Sequence, residues 1–304
     1  MSTFDTLAEQ LTRLAPDVPD QVPVLALDPQ RDQIGRGVEL AHRFGENLGF
    51  DLRAAKPDRG ATTTLLRDES GGRVRVFHAS GALELRTRTE PFEELFDSDP
   101  GDEKLTDLTS SWADKLALPG LVPDAEKLAF ERLWRLKAAG SDEAGRLSEP
   151  VLTRAVGAFR HQVHDLPVLG RASAHVEVTG SGFLSALSVS LRRWAGEREE
   201  LLATVKPRES ADAAREVAER VAKMVGGSEE GELVPEWFAY GYLSLGRRRA
   251  QSVLAPLWIA SVSVVGVTRS AHLILVQGSD ETFLKLPAGA RAAATQRSVV
   301  NRAA

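Results

Sequence analysis

Three of the six histidines in this 304-residue chain fall within one stretch, FRHQVHDLPVLGRASAH. His161 and His164 stand three apart. On a helix that spacing would set both imidazoles on one face, as a metal pair requires. On a strand it sends them to opposite faces. Pro167 follows closely and the segment runs into a hairpin, so the strand reading is the expected one, with both histidines at polar positions on a sheet edge. Asp165 and Glu177 are the only neighbours that would extend them to a metal set. His175 and Glu177 are two apart on one strand face, a spacing that permits an imidazole–carboxylate contact of the kind that orients a general base. The same spacing also describes the solvent side of an amphipathic strand.

The segment EWFAYGYLSLG holds both tyrosines of the chain. Period two places Phe238, Tyr240 and Tyr242 on one strand face and Trp237 on the other. Such a ladder packs beneath a helix, or lines a cavity or partner surface where tyrosine supplies rigid area and a polar tip. Candidate binding residues are therefore Trp237, Phe238, Tyr240, Tyr242 and Arg160. Candidate proton-transfer groups are His175, Glu177 and Tyr240.

Other chemistries lack their residues. The chain has no cysteine, which excludes disulfides, thiolate ligands and a cysteine nucleophile. P-loop, dinucleotide-binding, zinc-protease and nucleophile-elbow patterns are missing, and no cofactor is expected. GRGVELAHRFGENLG carries the glycines of a phosphate loop but follows no clear strand. The formal net charge of −5 gives no basic surplus, so no nucleic-acid partner is expected. Arg247-Arg248-Arg249 reads as a solvated turn. The N-terminus has no basic n-region or apolar h-region, and the apolar run Val253–Val267 is short and broken by Pro256. No signal peptide, no membrane span and a cytoplasmic location are the expectation.

These residues need elements to position them. Phe4, Leu7, Leu11 and Leu14 recur at helical spacing and predict a helix over 3–14. Further helices are expected over 30–48 and 105–118, and from Pro207, with Ser210 as N-cap and Gly226–Gly227 as the stop. Residues 125–138 fit helix or strand. Strands are expected over 62–67, 73–78 and 82–88. Ala174, Val176 and Val178 alternate with polar residues and lead through Thr179-Gly180-Ser181-Gly182 into a second strand, with Phe183, Leu187, Val189 and Leu191 on one face. Strands near 236–245, 250–254, 257–265, 271–277 and 282–286 close the chain. A helix followed by an antiparallel meander thus occurs near 30–88, 105–194 and 208–286. The fold class is α+β, built from repeated helix-on-curved-sheet units. The expected divisions are 1–98, 99–204, 205–290 and a flexible tail over 291–304.

The turn Leu166-Pro167-Val168-Leu169-Gly170, the hairpin turn Thr179–Gly182 and the later VLAPLWIASVSVVG…AHLILVQGSDETFL resemble PepSY and fungalysin/thermolysin-propeptide modules. The resemblance implies a cystatin-like helix on a curved sheet. Members of that group are usually secreted or membrane-attached protease inhibitors, intramolecular chaperones or sensor domains, and the absent leader departs from their pattern. A non-enzymatic protein that grips a protein or peptide partner on a sheet face or edge is the leading expectation. The alternatives are a small-molecule binder or cyclase/isomerase-like enzyme with a cone-shaped pocket, and an assembly subunit.

Overall fold

The computed structural model describes residues 3–27, 33–88, 93–171, 173–225, 232–265 and 270–286. In chain order its elements are α1 (Thr3–Leu14), β1 (Val22–Ala26), α2 (Gln33–Leu48), β2 (Asp58–Arg59), β3 (Thr63–Arg67), β4 (Arg73–Phe77), β5 (Leu83–Arg86), α3 (Asp102–Lys115), β6 (Lys127–Ala138), β7 (Val151–Val163), β8 (Leu166–Leu169), β9 (Ala174–Val178), β10 (Leu184–Val189), β11 (Leu201–Val205), α4 (Ser210–Met224), β12 (Glu232–Leu243), β13 (Val253–Leu254), β14 (Pro256–Val265) and β15 (Ser270–Gln277). The class is α+β. The chain forms two compact units. The first takes the described residues of Met1–Leu25, Leu201–Tyr242 and Ala255–Ala304, and the second Ala26–Glu200 and Leu243–Leu254. The expected division at 204 lies beside the crossing at 200/201, and that at 98 lies within the second unit. The expected tail over 291–304 and the stop at Gly226–Gly227 lie outside the described residues.

In the first unit β12, β14 and β15 form an antiparallel meander. α4 lies on β15 and α1 lies on α4. α4 buries Ala213, Ala214, Val217, Ala218 and Val221, a stripe of small side chains that lets Leu7 and Leu11 of α1 come close. Ser210 is its first residue rather than its cap; Glu209 holds that position and makes no side-chain cap bond. The strand expected over 282–286 does not form. Gln277 Nε2 donates to Leu284 O (2.8 Å) and Ser279 Oγ to Glu281 O (3.1 Å), so side chains fold this segment back as bends.

The second unit is an antiparallel sheet in the order β6-β7-β9-β10-β5-β4-β3-β2, with β8 paired to the end of β7. The ambiguous segment over 125–138 is strand β6, paired along its length with β7. α2 packs on β4 and β5, and α3 on β7, β9 and β6. Both helices cover the same face. Leu40, Ala41 and Phe44 from α2 and Leu105 and Ala113 from α3 join Val74, Val76, Leu85, Val176, Leu187 and Phe159 in one core. Gly37 of α2 sits against the Val76 side chain, with no room for a Cβ. Gly37, one of the glycines that looked like a phosphate loop, therefore seats a helix on a sheet. α3 starts at Asp102, earlier than expected. Asp102 and Glu103 favour its positive end, and Ala117 at φ 50° follows its end at Lys115. Within the β9–β10 hairpin a bulge between Leu184 and Ala186 shifts the register. Leu184 thereby turns inward and Phe183 outward, reversing the alternation expected at that end.

Gly157 of β7 fixes the seat of α3. A Cβ there would lie 2.5 Å from Thr109 Oγ1 and 2.6 Å from Thr109 Cβ. Gly157→Val should destabilise the protein by about 1–3 kcal/mol through overpacking. The expected readout is a lower urea midpoint with an unchanged slope.

Candidate functional site

The face of the second unit opposite α2 and α3 is the one on which sequence alternation places polar groups. Ala174, Val176 and Val178 of β9 enter the core, and His175 and Glu177 point the other way. Strand register extends each into a row across the sheet. The first row reads Leu65, Arg75, Glu84, Ser188, His175, Ala158, Arg132. The second reads Arg67, Arg73, Arg86, Ala186, Glu177, Val156, Trp134. Three arginines stand directly beside one another in the second row. Like charges facing across strands are destabilising. Among the described residues, Arg67, Arg73, Arg75 and Arg86 form no salt bridge.

A hollow of about 120 Å³ opens between the rows, walled by His175, Glu177, Glu84, Arg86, Arg171 and Ser188. His175 Nε2 is buried and has no hydrogen-bond partner. Trp134 meets the imidazole edge-on at 5.4 Å between ring centres. Burial, then the positive charges of Arg171 and Arg160, push the His175 pKa down to about 4, so the ring is neutral at pH 7. The expected His175–Glu177 contact is not formed. Glu177 accepts from Ser185 Oγ, and Arg154 Nε lies 4.0 Å away. Without an orienting carboxylate, His175 lacks the arrangement of a general base.

The segment 243–254 closes one end of this face. Arg192 donates to Ser244 Oγ (3.1 Å), Arg249 O (3.3 Å), Gly246 O (3.3 Å) and Leu245 O. Burial lowers its pKa to about 10, which leaves it charged at pH 7. Arg247, on the segment so held, pairs with Glu84 and stands 4.4 Å over the Phe77 ring. Ser80 Oγ donates to Arg247 O at 2.6 Å. The arginine triplet forms a turn, as expected, and one member reaches into the site. Arg160 is anchored to Glu131 (2.8 Å) and Val168 O (2.9 Å). The rows and the Arg192 anchor were invisible in the sequence, because they depend on which distant strands pair.

The other sequence candidates lie elsewhere. His161 is not an edge position. It is fully buried, its Nε2 2.6 Å from Glu126 Oε2, and Arg193 Nε donates to Glu126 Oε1 at 2.5 Å. Burial works to raise the Glu126 carboxyl, but the bonds from His161 and Arg193 outweigh it and hold it below the ordinary glutamate value. His164 and Asp165 are the two corner residues of the β7–β8 hairpin, at φ 49° and 59°. Both torsions are positive, as a type I′ turn demands. His164 lies 3.0 Å from Glu199. The structure does not bring His161 and His164 together on one ligand. In the first unit Phe238, Tyr240 and Tyr242 share a face, as expected, but that face is interior. Phe238 stacks on Trp258 (4.6 Å), Tyr240 donates to Gly278 O (3.2 Å) and Tyr242 to Pro23 O (2.8 Å). Burial raises the Tyr240 pKa. These three side chains offer no surface to a partner; only Trp237, 40% exposed, does. A larger cleft of about 430 Å³ beside α2 holds Arg36, Arg53 and Trp194. Carboxylates answer two of its arginines, Glu197 at 2.9 Å from Arg36 and Glu46 at 2.6 Å from Arg53, while Arg43 stands over the Phe44 ring.

No protein-family model matches the chain, and no curated protein does. Among solved structures it resembles an uncharacterized protein from Eubacterium rectale ATCC 33656, at 9% identity and a TM-score of 0.50 over 87% of this chain and 85% of that one. The likeness concerns the fold alone.

The Glu126–His161–Arg193 cluster generates a stability prediction. Glu126→Gln removes the nearer, buried carboxylate partner of Arg193 and leaves only Glu199 at 3.7 Å; it should cost up to about 3–5 kcal/mol, read as a lower denaturant midpoint. The Glu126 pKa is depressed in the folded state, so its stabilising contribution is present above the ordinary glutamate pKa and is lost as pH falls through the folded value. The acid-unfolding profile of Glu126→Gln should accordingly be shallower than that of the wild type below about pH 4.5.

Proposed function

We propose that the chain is a non-enzymatic binding protein of the helix-on-sheet kind, PepSY-like in its repeated units, whose second unit grips an acidic segment of a protein or peptide on its open sheet face. The observation that carries this reading is the in-register row Arg67–Arg73–Arg86 beside Arg75, on a chain of net charge −5. The fold gains nothing from three adjacent like charges. A ligand rich in Asp and Glu relieves their repulsion and supplies bidentate partners for the guanidinium forks. Trp134 and Leu136, exposed at the β6 side of the same face, add apolar area for the segment to cover. The acidic remainder of the surface disfavours extended polyanions and restricts anion capture to this patch.

The face fits better than the edge. β6 is a long outer strand, but bulges at Phe130/Arg132 and Leu136/Lys137 interrupt it and Lys127, Arg132 and Lys137 line it. Those are the devices that blunt an edge against strand addition. Proton-transfer catalysis has less support, since His175 has no orienting partner and a hollow of about 120 Å³ is small for a substrate.

The test is titration of a fluorescently labelled peptide rich in Asp and Glu, followed by anisotropy. Binding should weaken with salt. The double substitution Arg73→Glu, Arg86→Glu should weaken it by about tenfold or more, roughly 1.4 kcal/mol, with the thermal midpoint unchanged or raised. Binding indifferent to that charge reversal would remove the reading, and sedimentation showing self-association through the same face would replace it with the assembly alternative.

A further inference from the structure

We infer that the hollow beside His175 is the subsite for one carboxylate side chain, Asp or Glu, of the bound segment, and that seating this carboxylate draws a proton onto the imidazole. This rests on the acidic-segment reading above. A buried polar atom without a hydrogen bond is uncommon in a native fold and calls for a reason. His175 Nε2 is such an atom, on the wall of a hollow whose other walls include Arg86 and Arg171. A volume of about 120 Å³ suits the end of one side chain rather than a cofactor. The charge of the guest follows from the lining. Glu84 is met by Arg247 and Glu177 by Ser185, yet both remain carboxylates at the wall. They oppose a dianionic phosphate more than a singly charged carboxylate.

The proton balance follows from every group around the ring. β5 brings Glu84 and Arg86, β9 brings Glu177, and Arg171 comes from just before β9. β7 brings Arg160, β6 brings Glu131 and the 243–254 segment brings Arg247. β10 adds only Ala186, Leu187 and Ser188. In the free protein burial and arginines keep the imidazole neutral down to about pH 4. A carboxylate placed against Nε2 favours the charged ring. One proton then passes from solvent to Nε2, which donates it to the carboxylate as a hydrogen bond. Affinity must rise as pH falls through the bound-state pKa towards the free value of about 4, because in that window the complex holds more protons than the separated partners.

The experiment is titration of the same acidic peptide into wild type and His175→Gln between about pH 8 and pH 5, by calorimetry in two buffers of different ionisation enthalpy. Wild type should tighten on acidification, by up to about tenfold per pH unit, with net proton uptake approaching one. His175→Gln should still bind at the alkaline end and show a flat profile without uptake. A readout independent of any folding defect is the wild-type His175 proton resonance, whose titration midpoint should move up when peptide is added. If wild type and His175→Gln bind with the same pH profile, and that resonance does not move, the subsite is wrong and the acidic-segment reading stands. If a phosphoserine peptide binds more tightly than its aspartate counterpart, the carboxylate assignment is overturned. If neither protein binds the peptide at any pH, both readings fall.

Discussion

A sheet whose helices all lie on one side must do something with its other side. In the second unit that constraint governs the rest. Strand alternation sends every second side chain away from α2 and α3, and antiparallel register lines those side chains up from β3 to β6. A face built only for solubility would intersperse charges of both signs and let cross-strand pairs attract. Here Glu84 and Glu177 in the middle and Glu131 on the outer strand β6 each lie near an arginine, while the other flank carries Arg67, Arg73 and Arg86 abreast. The electrostatic cost is concentrated on one side of a single face. That concentrated cost is the feature on which the proposed binding face rests.

The scaffold offsets it with buried polar anchors placed behind the site. The Glu126–His161–Arg193 cluster ties the approach to β6, the far end of β7 and the exit of β10 into one knot. Next in sequence, Arg192 turns the opposite way and holds the segment 243–254 by its carbonyls. One arginine thus secures the Glu126 knot and its neighbour the 243–254 segment. α3 is held by the same logic. Trp112 Nε1 donates to Gly182 O in the β9–β10 turn at 2.8 Å, and Arg135 of β6 meets Asp99 at 2.9 Å just before the helix begins. Breaking a buried ion pair costs more than its formation gains, which makes these anchors specific about geometry rather than generous in stability.

How far the sequence reveals this depends on the range of the interaction. α1 is legible to the residue, because Leu7 and Leu11 are four apart on a local helix. The β9 alternation is legible for the same reason. The Phe183/Leu184 reversal is not, since a bulge is settled by pairing with β9 and leaves no local mark. Residues 125–138 read equally as helix or strand, because the decision belongs to β7, which they pair with. His161 looks like an edge residue until Glu126 and Arg193, from distant parts of the chain, enclose it. The Tyr240 and Tyr242 ladder is correct as a face and uninformative as a site, because only packing with Trp258 shows that the face is interior. The arginine row joins β3, β4 and β5, whose pairing is local, yet its significance appears only against β9 and β10.

The neutrality of His175 then becomes the point at which the two halves of the site meet. A protonated imidazole in that hollow would add another positive charge to Arg171, Arg160 and Arg247, and the fold resists it. A metal ion would face the same repulsion, and the described residues group no three ligating side chains in its reach. When the buried, unsatisfied nitrogen is the bare one of a neutral ring, it has two ways to be satisfied: accept a hydrogen bond, or take a proton once an anion makes that charge welcome. Burial and the surrounding arginines disfavour the second in the free protein, and only a seated anion would offset them. On the reading proposed above, protonation of this buried ring is therefore conditional on an acidic guest. Arginine rows by themselves attract any anion; on the proposed reading the histidine ties attraction to a seated, singly charged group, and selectivity would enter there.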